Sequence, residues 1–343
     1  MTKRIPHPCT MPTRCSGFSM VEMMISITIG MVIVAALVGV LTTSSGNSKS
    51  NDRTSELQSN GRFALDYFKG ELRQAGYRGY TWAEPNAPTT TITPIVNECL
   101  PNGAAATAFV TNLRQGVWGA NDSNPYTASC LPAANRLRGD VLVIRRVENT
   151  PLSGTTVNNT LYFRSSYAFG EIFRGDGVTA ATTGTPSFPG QPPLLDDFRV
   201  RESVYYIGKD DTDTTLPALR QISLKGSGDT CNGAAVTSVT MCDEMLVTGI
   251  EHMEVQFGRF DTALNTQYLD AGAISGTSTD TPTSLPSYAW NEVKAVRIWL
   301  LARTAKPETG YTNTTSYVMG DQTYTVNDSY RRQLFTAVVR LRN

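Results

Sequence analysis

A single carboxylate, Glu22, lies inside an otherwise apolar stretch near the amino terminus, and its position implies ion-pair chemistry. The stretch runs from Phe18 to Leu41 and contains no other charged residue. A carboxylate costs about 2.5–3.5 kcal/mol at the centre of a membrane, so it needs a partner there. If the chain is cut between Gly17 and Phe18, the new ammonium group lies four residues, or one helical turn, before Glu22. The carboxylate would neutralise that ammonium on its own chain or on a neighbouring helix.

The apolar stretch is long enough to cross a membrane as a helix. Its 24 residues would span about 36 Å, against a hydrocarbon core of about 30 Å. Lys3, Arg4 and Arg14 precede the stretch, and the next basic residue after it is Lys49. Because positive charge stays in the cytoplasm, we expect a single pass through the inner membrane, with the rest of the chain in the periplasm.

Three kinds of amino-terminal segment could explain the apolar stretch and its single acid. An ordinary secretory signal has a shorter apolar region followed by a small-residue cleavage site, and the sequence SSG at 44–46 is a poor site of that kind. A plain membrane anchor has the right length but does not explain Glu22. A segment that is cut before the apolar run, so that Glu22 meets a new ammonium group, explains both the length and the acid.

The sequence GFSMVEMMISITIGMVIV at 17–34 resembles the prepilin signal of type IV pilins and pseudopilins. The resemblance implies a leader peptide at 1–17, cleaved after Gly17 by a prepilin peptidase, and methylation of the new amino terminus at Phe18. It also implies that Glu22 is the acid used in filament assembly. Cys9 and Cys15 would be discarded with the leader.

The helix is expected to continue beyond the membrane. Residues 51–75 are amphipathic, with apolar positions at helical spacing, namely Leu57, Ala64, Leu65, Phe68, Leu72 and Ala75. Gly76 and Gly79 are plausible stops. We therefore predict an amino-terminal helix within 18–79, with 18–41 in the membrane, followed by a periplasmic head at 80–343.

The head is predicted to be an antiparallel sheet. Short β-rich runs are separated by polar segments without a long helix between them, at 139–147, 160–164, 203–209, 219–225, 245–260, 292–304 and 330–343. In 245–260, Ile250, Met253 and Val255 alternate with polar residues, with one slip that predicts a β-bulge. Residues 80–139 are predicted to connect helix and sheet, and 174–197 and 261–289 to be polar insertions. The fold class is α+β, type IV pilin-like by resemblance.

Four cysteines follow the apolar stretch and are expected to form two disulfides in an oxidising compartment. Their wide spacing, without a CxxC pair, favours disulfides over a metal site, with free thiols as the alternative. Cys231 and Cys242 bracket ten residues between predicted strands, so we expect them to pair with each other and Cys99 to pair with Cys130. Four cysteines allow three connectivities, so this is one prediction among three.

Three later stretches are similar to the PilW family of minor type IV pilins, at 61–80, 296–304 and 330–343. The resemblance implies a structural protein that joins other minor pilins and the major pilin through its amino-terminal helix. Its expected role is in an inner-membrane complex that starts pilus assembly, with a place at the fibre tip and a large PilY-type adhesin as a further partner. A formal net charge of zero gives no broad basic surface, so no nucleic-acid partner is expected.

No catalytic motif is recognisable in the head, so we expect no enzyme, no cofactor and no metal. There is no G-x-S-x-G, HExxH or P-loop sequence. His252 would be the only histidine after cleavage, and a lone strand histidine is more often structural. Asp210, Asp211 and Asp213 offer oxygen ligands for calcium, but they lack the D-x-D-x-D-G frame, which favours a solvated turn.

Aromatic residues near the predicted strands are expected to pack in the core or across strands, namely Tyr205, Tyr206, Trp290 and Trp299.

Three other functions are compatible with parts of this sequence and compete with the minor pilin. A J-type minor pseudopilin of a type II secretion system shares the signal but usually has a smaller head. A tip adhesin could use the polar insertions as binding loops, and a tethered enzyme would need motifs that this sequence lacks.

Overall fold

The computed structural model describes residues 17–81, 88, 91–101, 108–167, 169–177, 194–260, 265–274 and 287–342. The chain divides into two compact units, Met1–Asp52 and Arg53–Asn343. The described residues contain helices α1 Met20–Gln74 and α2 Ala108–Thr111. Their strands are β1 Val117–Ala120, β2 Arg138–Val147, β3 Leu161–Ser165, β4 Gly170–Arg174, β5 Asp196–Lys209, β6 Pro217–Lys225, β7 Thr230–Cys231, β8 Ala234–Ala235, β9 Thr240–Thr248, β10 Ile250–Phe260, β11 Thr266–Asp270, β12 Ala295–Arg303, β13 Ser316–Met319, β14 Gln322–Thr325 and β15 Arg332–Arg340.

The first part of α1 is apolar on all sides. An 18-residue window of this helix has a mean hydropathy of 2.6 and none of that window is buried inside the protein, which is compatible in length and composition with a membrane span. A helix that is apolar all round needs lipid or other helices around it. The prediction of a long apolar amino-terminal helix is confirmed, and its first residue is Met20.

The second part of α1 packs one face into the head. All six apolar positions predicted from helical spacing are buried, at residues 57, 64, 65, 68, 72 and 75. Phe68 packs edge-to-face on Tyr205 with ring centroids 5.0 Å apart. Arg146 donates to both oxygens of Glu71, at 3.1 and 2.9 Å. The helix ends at Gln74, and Gly76 then has a positive φ of 76°, which fits the predicted stop.

The larger sheet has seven strands in antiparallel pairs. One path through it has the order β1-β2-β5-β3-β4, and β6 joins β5 to β9. The long β5 allows this branching, because residues 196–199 pair with β3 while residues 203–209 pair with β6. Each of the predicted strands at 139–147, 160–164, 203–209 and 219–225 corresponds to a strand of this sheet.

The smaller sheet has four antiparallel strands in the order β11-β10-β12-β15. Two-stranded ladders, β13-β14 and β7-β8, complete the described pairing. With a long helix and antiparallel sheets, the chain is α+β, and the predicted fold class is confirmed.

The predicted strand at 245–260 is two strands in different sheets. The strand is interrupted at Gly249, which has a positive φ of 77°. Strand β9, before this glycine, belongs to the larger sheet, and β10, after it, belongs to the smaller one. The predicted slip is a real bulge, because the register of β10 against β12 shifts between Ile250 and His252. The expected polar face is not solvated: Glu251 and Glu254 are 2% and 1% exposed.

Three sequence assignments concern poorly covered ranges. The connecting range 80–139 contains α2 and β1, two short elements that the sequence pattern does not predict. Residues 1–16 of the leader lie outside the described residues, as do 178–193 of the first polar insertion and 261–264 and 275–286 of the second.

The contact between α1 and β15 gives a matched pair of glycine substitutions. A Cβ added at Gly61 would lie 2.1 Å from Cε2 of Phe335, whereas a Cβ at Gly70, on the same helix, meets nothing within 4 Å. We expect Gly61→Ala to lower the free energy of unfolding by about 1–3 kcal/mol through overpacking. Gly70→Ala should raise it by up to about 1 kcal/mol through helix propensity. Thermal unfolding of the full chain in detergent measures both, and equal effects would contradict this packing.

Candidate functional site

The amino-terminal motif lies on an open segment at the start of α1. Nothing is within 4 Å of a Cβ built at Gly17, and Phe18 is 84% exposed. The helix begins two residues later, at Met20. The bond between Gly17 and Phe18 is therefore accessible and lies outside regular secondary structure, which is the geometry that a peptidase requires.

Glu22 lies in the first turn of α1 and is exposed. Its Oε2 accepts a weak hydrogen bond from the backbone N–H of Ser19 at 3.4 Å. A carboxylate at a helix amino terminus is favoured by the helix dipole. One turn further, the hydroxyl of Ser26 donates to the backbone carbonyl of Glu22 at 2.7 Å, so this second polar group is satisfied within the helix.

The surface around Glu22 is almost entirely apolar and exposed. This surface, the apolar surface of α1, consists of large side chains that are each more than half exposed, namely Phe18, Met20, Val21, Met23, Met24, Ile25, Ile27, Ile29, Met31, Val32, Ile33, Val34, Leu37, Val38, Val40 and Leu41. An exposed apolar surface of this extent marks a membrane or protein interface. Glu22 is its only charged residue, so a partner that buries this surface must also neutralise one carboxylate.

The four cysteines of the head are joined in two bonds. Cys99 pairs with Cys130, with Cα atoms 4.8 Å apart, and Cys231 pairs with Cys242, with Cα atoms 5.9 Å apart. The first bond fastens part of the connecting range to the segment before β2, and the second closes the turn between β6 and β9. The pairing is the one expected from the spacing, and its formation in the living cell stays a prediction.

The acidic loop at 210–213 is a self-capped turn. Asp210 Oδ1 accepts from the backbone N–H groups of Thr212 and Asp213, at 2.8 and 3.1 Å. Burial opposes the ionisation of Asp210, but hydrogen bonds led by those from Thr212 outweigh it and lower the pKa to about 2. Asp211 forms an ion pair with Arg220 at 2.5 Å. These carboxylates already have partners. The solvated turn that the sequence favours describes Asp211 and Asp213, which are exposed, but not Asp210, which is buried.

The aromatic residues belong mainly to the core. Tyr205, Tyr206 and Trp290 are at most 2% exposed, and Trp290 packs edge-to-face on Phe257 with centroids 4.8 Å apart. Trp299 is half-buried, and the Arg297 guanidinium lies 5.6 Å from its ring centroid. The expectation of core and cross-strand packing is confirmed for the three buried rings.

A cluster of acids in the head was missed by sequence reasoning. Asp122, Asp140 and Glu254 each place one oxygen within 4.8 Å of the others, although more than 100 residues separate the first two from the third. Burial, then the charge of Glu254, raises the pKa of Asp140 to about 8. Burial, then the charge of Asp122, raises the pKa of Glu254 to about 8. No local motif could have signalled a cluster whose members come from three separate segments.

His252 is buried beside this cluster. Its Nδ1 lies 3.2 Å from Glu254 Oε1, and burial, followed by the positive charge of Arg138, lowers its pKa. The ring is therefore neutral at physiological pH. His252, which we expected to be structural, is 6% exposed, as a structural histidine would be, but it also contacts the titratable side chain of Glu254.

Two family models match this chain. The model described as Type IV Pilus-assembly protein W matches residues 204–343, and the model described as Prokaryotic N-terminal methylation motif matches residues 12–38. The first range contains the resembling stretches at 296–304 and 330–343, and the second contains Gly17, Phe18 and Glu22. The stretch at 61–80 lies outside both matches.

Among solved structures, a type IV-like pilin from Thermus thermophilus matches with 13% sequence identity and a TM-score of 0.33, over 83% of this chain and 96% of the other. A TM-score this low adds nothing to the fold described above. No curated protein matches this chain.

The two disulfides can be tested on protein taken from the membrane fraction. Peptide mapping without reduction should recover Cys99 linked to Cys130 and Cys231 linked to Cys242. The Cys99–Cys130 bond closes the longer of the two loops and contributes roughly 3–4 kcal/mol to the free energy of unfolding by the chain-entropy estimate. Reduction should therefore also lower the Tm. The variant Cys99→Ser is the control and should lose the first bond while keeping the second. Four free thiols, or a bond between Cys99 and Cys231, would contradict the pairing.

Proposed function

From a chain that is a type IV pilin of the PilW family with a prepilin signal, we propose a minor pilin that helps to start pilus assembly. It joins other minor pilins and the major pilin in the inner membrane through α1. Because this complex starts the fibre, the protein would remain at the fibre tip. The leader at 1–17 is removed by a prepilin peptidase, 18–41 spans the membrane, and the head from residue 80 lies in the periplasm.

One observation carries this proposal, namely a lone carboxylate on an extended apolar surface. Glu22 is the only charge on the apolar surface of α1. A plain lipid anchor gains nothing from a carboxylate there, because the charge is costly in hydrocarbon. A packed array of like helices gains axial register, because each carboxylate is satisfied only where a neighbour's ammonium lies beside it.

The match at residues 204–343 supports a pilus over a secretion machine. A J-type pseudopilin would share the amino-terminal signal and the apolar helix, so neither feature separates the two. The carboxyl-terminal half of the head does, since its match is to a pilus-assembly family. A PilY-type adhesin is proposed as a further partner by the same resemblance, and no contact in the described residues identifies its binding surface.

Processing should depend on Gly17. We expect Gly17→Val to retain the leader and to block pilus assembly, because a branched side chain clashes in the peptidase site. The described residues leave space for this substitution, since nothing lies within 4 Å of a Cβ built at Gly17, so we expect the head to fold as in wild type. Mass spectrometry of the membrane fraction gives the amino terminus. Gly17→Ala is the control, with partial or full cleavage expected, and a chain starting at methylated Phe18 in Gly17→Val would refute the prediction.

Assembly should depend on the charge of Glu22. The substitution Glu22→Gln leaves a neighbour's ammonium unpaired, which costs on the order of 3–5 kcal/mol in buried sites. That corresponds to a loss of roughly 10² to 10³ or more in an association constant. We expect the variant to be inserted, cleaved and folded with both disulfides, but to recover fewer partner pilins by crosslinking in membranes and to support fewer surface pili.

The matched control for Glu22→Gln is Ser26→Ala, which removes a polar group one turn away without removing a charge. Its hydroxyl bonds only to the backbone carbonyl of Glu22 among the described contacts, so assembly should stay normal. Both variants must be compared at protein levels equal to wild type. Normal partner recovery and piliation in Glu22→Gln would remove the assembly role of the carboxylate.

A further inference from the structure

Three carboxylates meet where the two large sheets of the head approach each other. Asp122 follows β1, Asp140 is in β2 of the seven-stranded sheet, and Glu254 is in β10 of the four-stranded sheet. One oxygen from each lies within 4.8 Å of the other two. Asp140 and Glu254 are 2% and 1% exposed, while Asp122 is exposed and leaves the cluster accessible from solvent.

The backbone holds this cluster in place. Asp140 Oδ1 accepts from the N–H of Asp122 at 3.0 Å, and its Oδ2 accepts from the N–H of Val255 at 2.8 Å. Each oxygen of a carboxylate has a second lone pair, so Asp140 can still bind an ion after accepting both bonds. Hydrogen bonds of this kind orient the carboxylates that ligate metals.

Two buried polar atoms at the cluster, each of a kind that can ligate a metal, make no hydrogen bond within the described residues. They are Glu254 Oε1 and His252 Nδ1, which lie 3.2 Å apart without hydrogen-bond geometry. Both side chains are more than nine-tenths buried. Leaving a buried polar atom unsatisfied costs about 1–3 kcal/mol, and more for a charged group. An ion bound by the carboxylates would remove that cost for Glu254, and His252 Nδ1 lies at the edge of the site, 3.2 Å from Glu254 Oε1.

The surrounding charges do not neutralise the cluster. The charges of Asp270 and Asp321 also act on Glu254 and add to the negative potential. Arg136 is close enough to interact electrostatically with all three carboxylates, but its guanidinium donates its hydrogen bond to the backbone carbonyl of Gly139. No ion pair within the described residues joins Arg136 to the cluster. The charge of Arg136 still acts on the cluster, but one guanidinium beside three carboxylates does not balance all of them, so the site can take a cation.

We propose that Asp122, Asp140 and Glu254 bind a divalent metal cation, with His252 Nδ1 as the adjacent nitrogen donor. Carboxylate oxygens are the ligands that Ca²⁺ and Mn²⁺ prefer, and Mn²⁺ also accepts imidazole. Three oxygens that are up to 4.8 Å apart lie about 2.8 Å from a common centre, so the carboxylates need to close by only a few tenths of an ångström to reach a Ca–O distance of about 2.3–2.6 Å. The ion would join β2 to β10 and so fasten the two sheets together.

The test uses the full chain in detergent after removal of metals with EDTA. CaCl₂ or MnCl₂ is added at constant ionic strength, and Tm and calorimetric binding are measured. At about 100 times Kd, one bound ion should raise the Tm by about 5 °C. The shift should disappear in Glu254→Gln, and Asp122→Asn should weaken binding at least tenfold. Asp122 is exposed, so that variant tests the site even if Glu254→Gln fails to fold.

The control is Asp211→Asn, which removes one carboxylate from the acidic loop at 210–213 and should bind as wild type does. His252→Gln tests the nitrogen donor: weaker Mn²⁺ binding with unchanged Ca²⁺ binding supports it, and unchanged binding of both ions removes His252 from the proposed site. The proposal is wrong if neither ion binds up to about 10 mM, above the range of weak extracellular calcium sites. It is also wrong if Asp211→Asn abolishes binding while Asp122→Asn does not.

Discussion

The helix α1 must satisfy two different surroundings along one continuous element, and the rest of the structure depends on that constraint. Between Met20 and Leu41 its large side chains are exposed on every side, so this part is stable only among lipids or other helices. Between Leu57 and Ala75 it buries a single face in the head. Apolar side chains can pack at several axial positions at similar cost, whereas a carboxylate in hydrocarbon is satisfied only beside a positive charge, so in the proposed assembly Glu22 fixes the register.

Some acids of the head are paired with arginines, and others are not. Glu71 is paired with Arg146 by two parallel hydrogen bonds, and Glu251 is paired with Arg332, both side chains being at most 3% exposed. Such pairs offset the desolvation of each partner. Asp140 and Glu254 are buried as deeply, yet an arginine is not paired with either of them within the described residues. Strand β10 thus contains both an acid that is paired with an arginine, Glu251, and an acid of the proposed cation site, Glu254.

Sequence periodicity predicted the elements whose burial follows from local pattern. All six apolar positions of the second part of α1 are buried, because a helix with one apolar stripe has a single way to pack. The runs at 139–147 and 219–225 lie in strands β2 and β6, as their β-rich composition predicts. Four-residue strands such as β1 and β13 escaped prediction, because so few residues carry no clear alternation. The acid cluster escaped because only tertiary pairing brings its members together.

The cluster nevertheless depends on two local irregularities. The bulge in β10 makes Glu251 the extra residue against β12. His252 and Glu254 share one face because side chains alternate along a strand, and the bulge places that face opposite to the face of Ile250. On the facing strand, Gly139 has a φ of 73°, and a Cβ there would lie 2.5 Å from the carbonyl oxygen of Met253. A glycine therefore lets β2 approach β10 closely enough for Asp140 to accept the N–H of Val255. Both irregularities weaken regular sheet pairing, and both bring charged groups together where the two sheets meet.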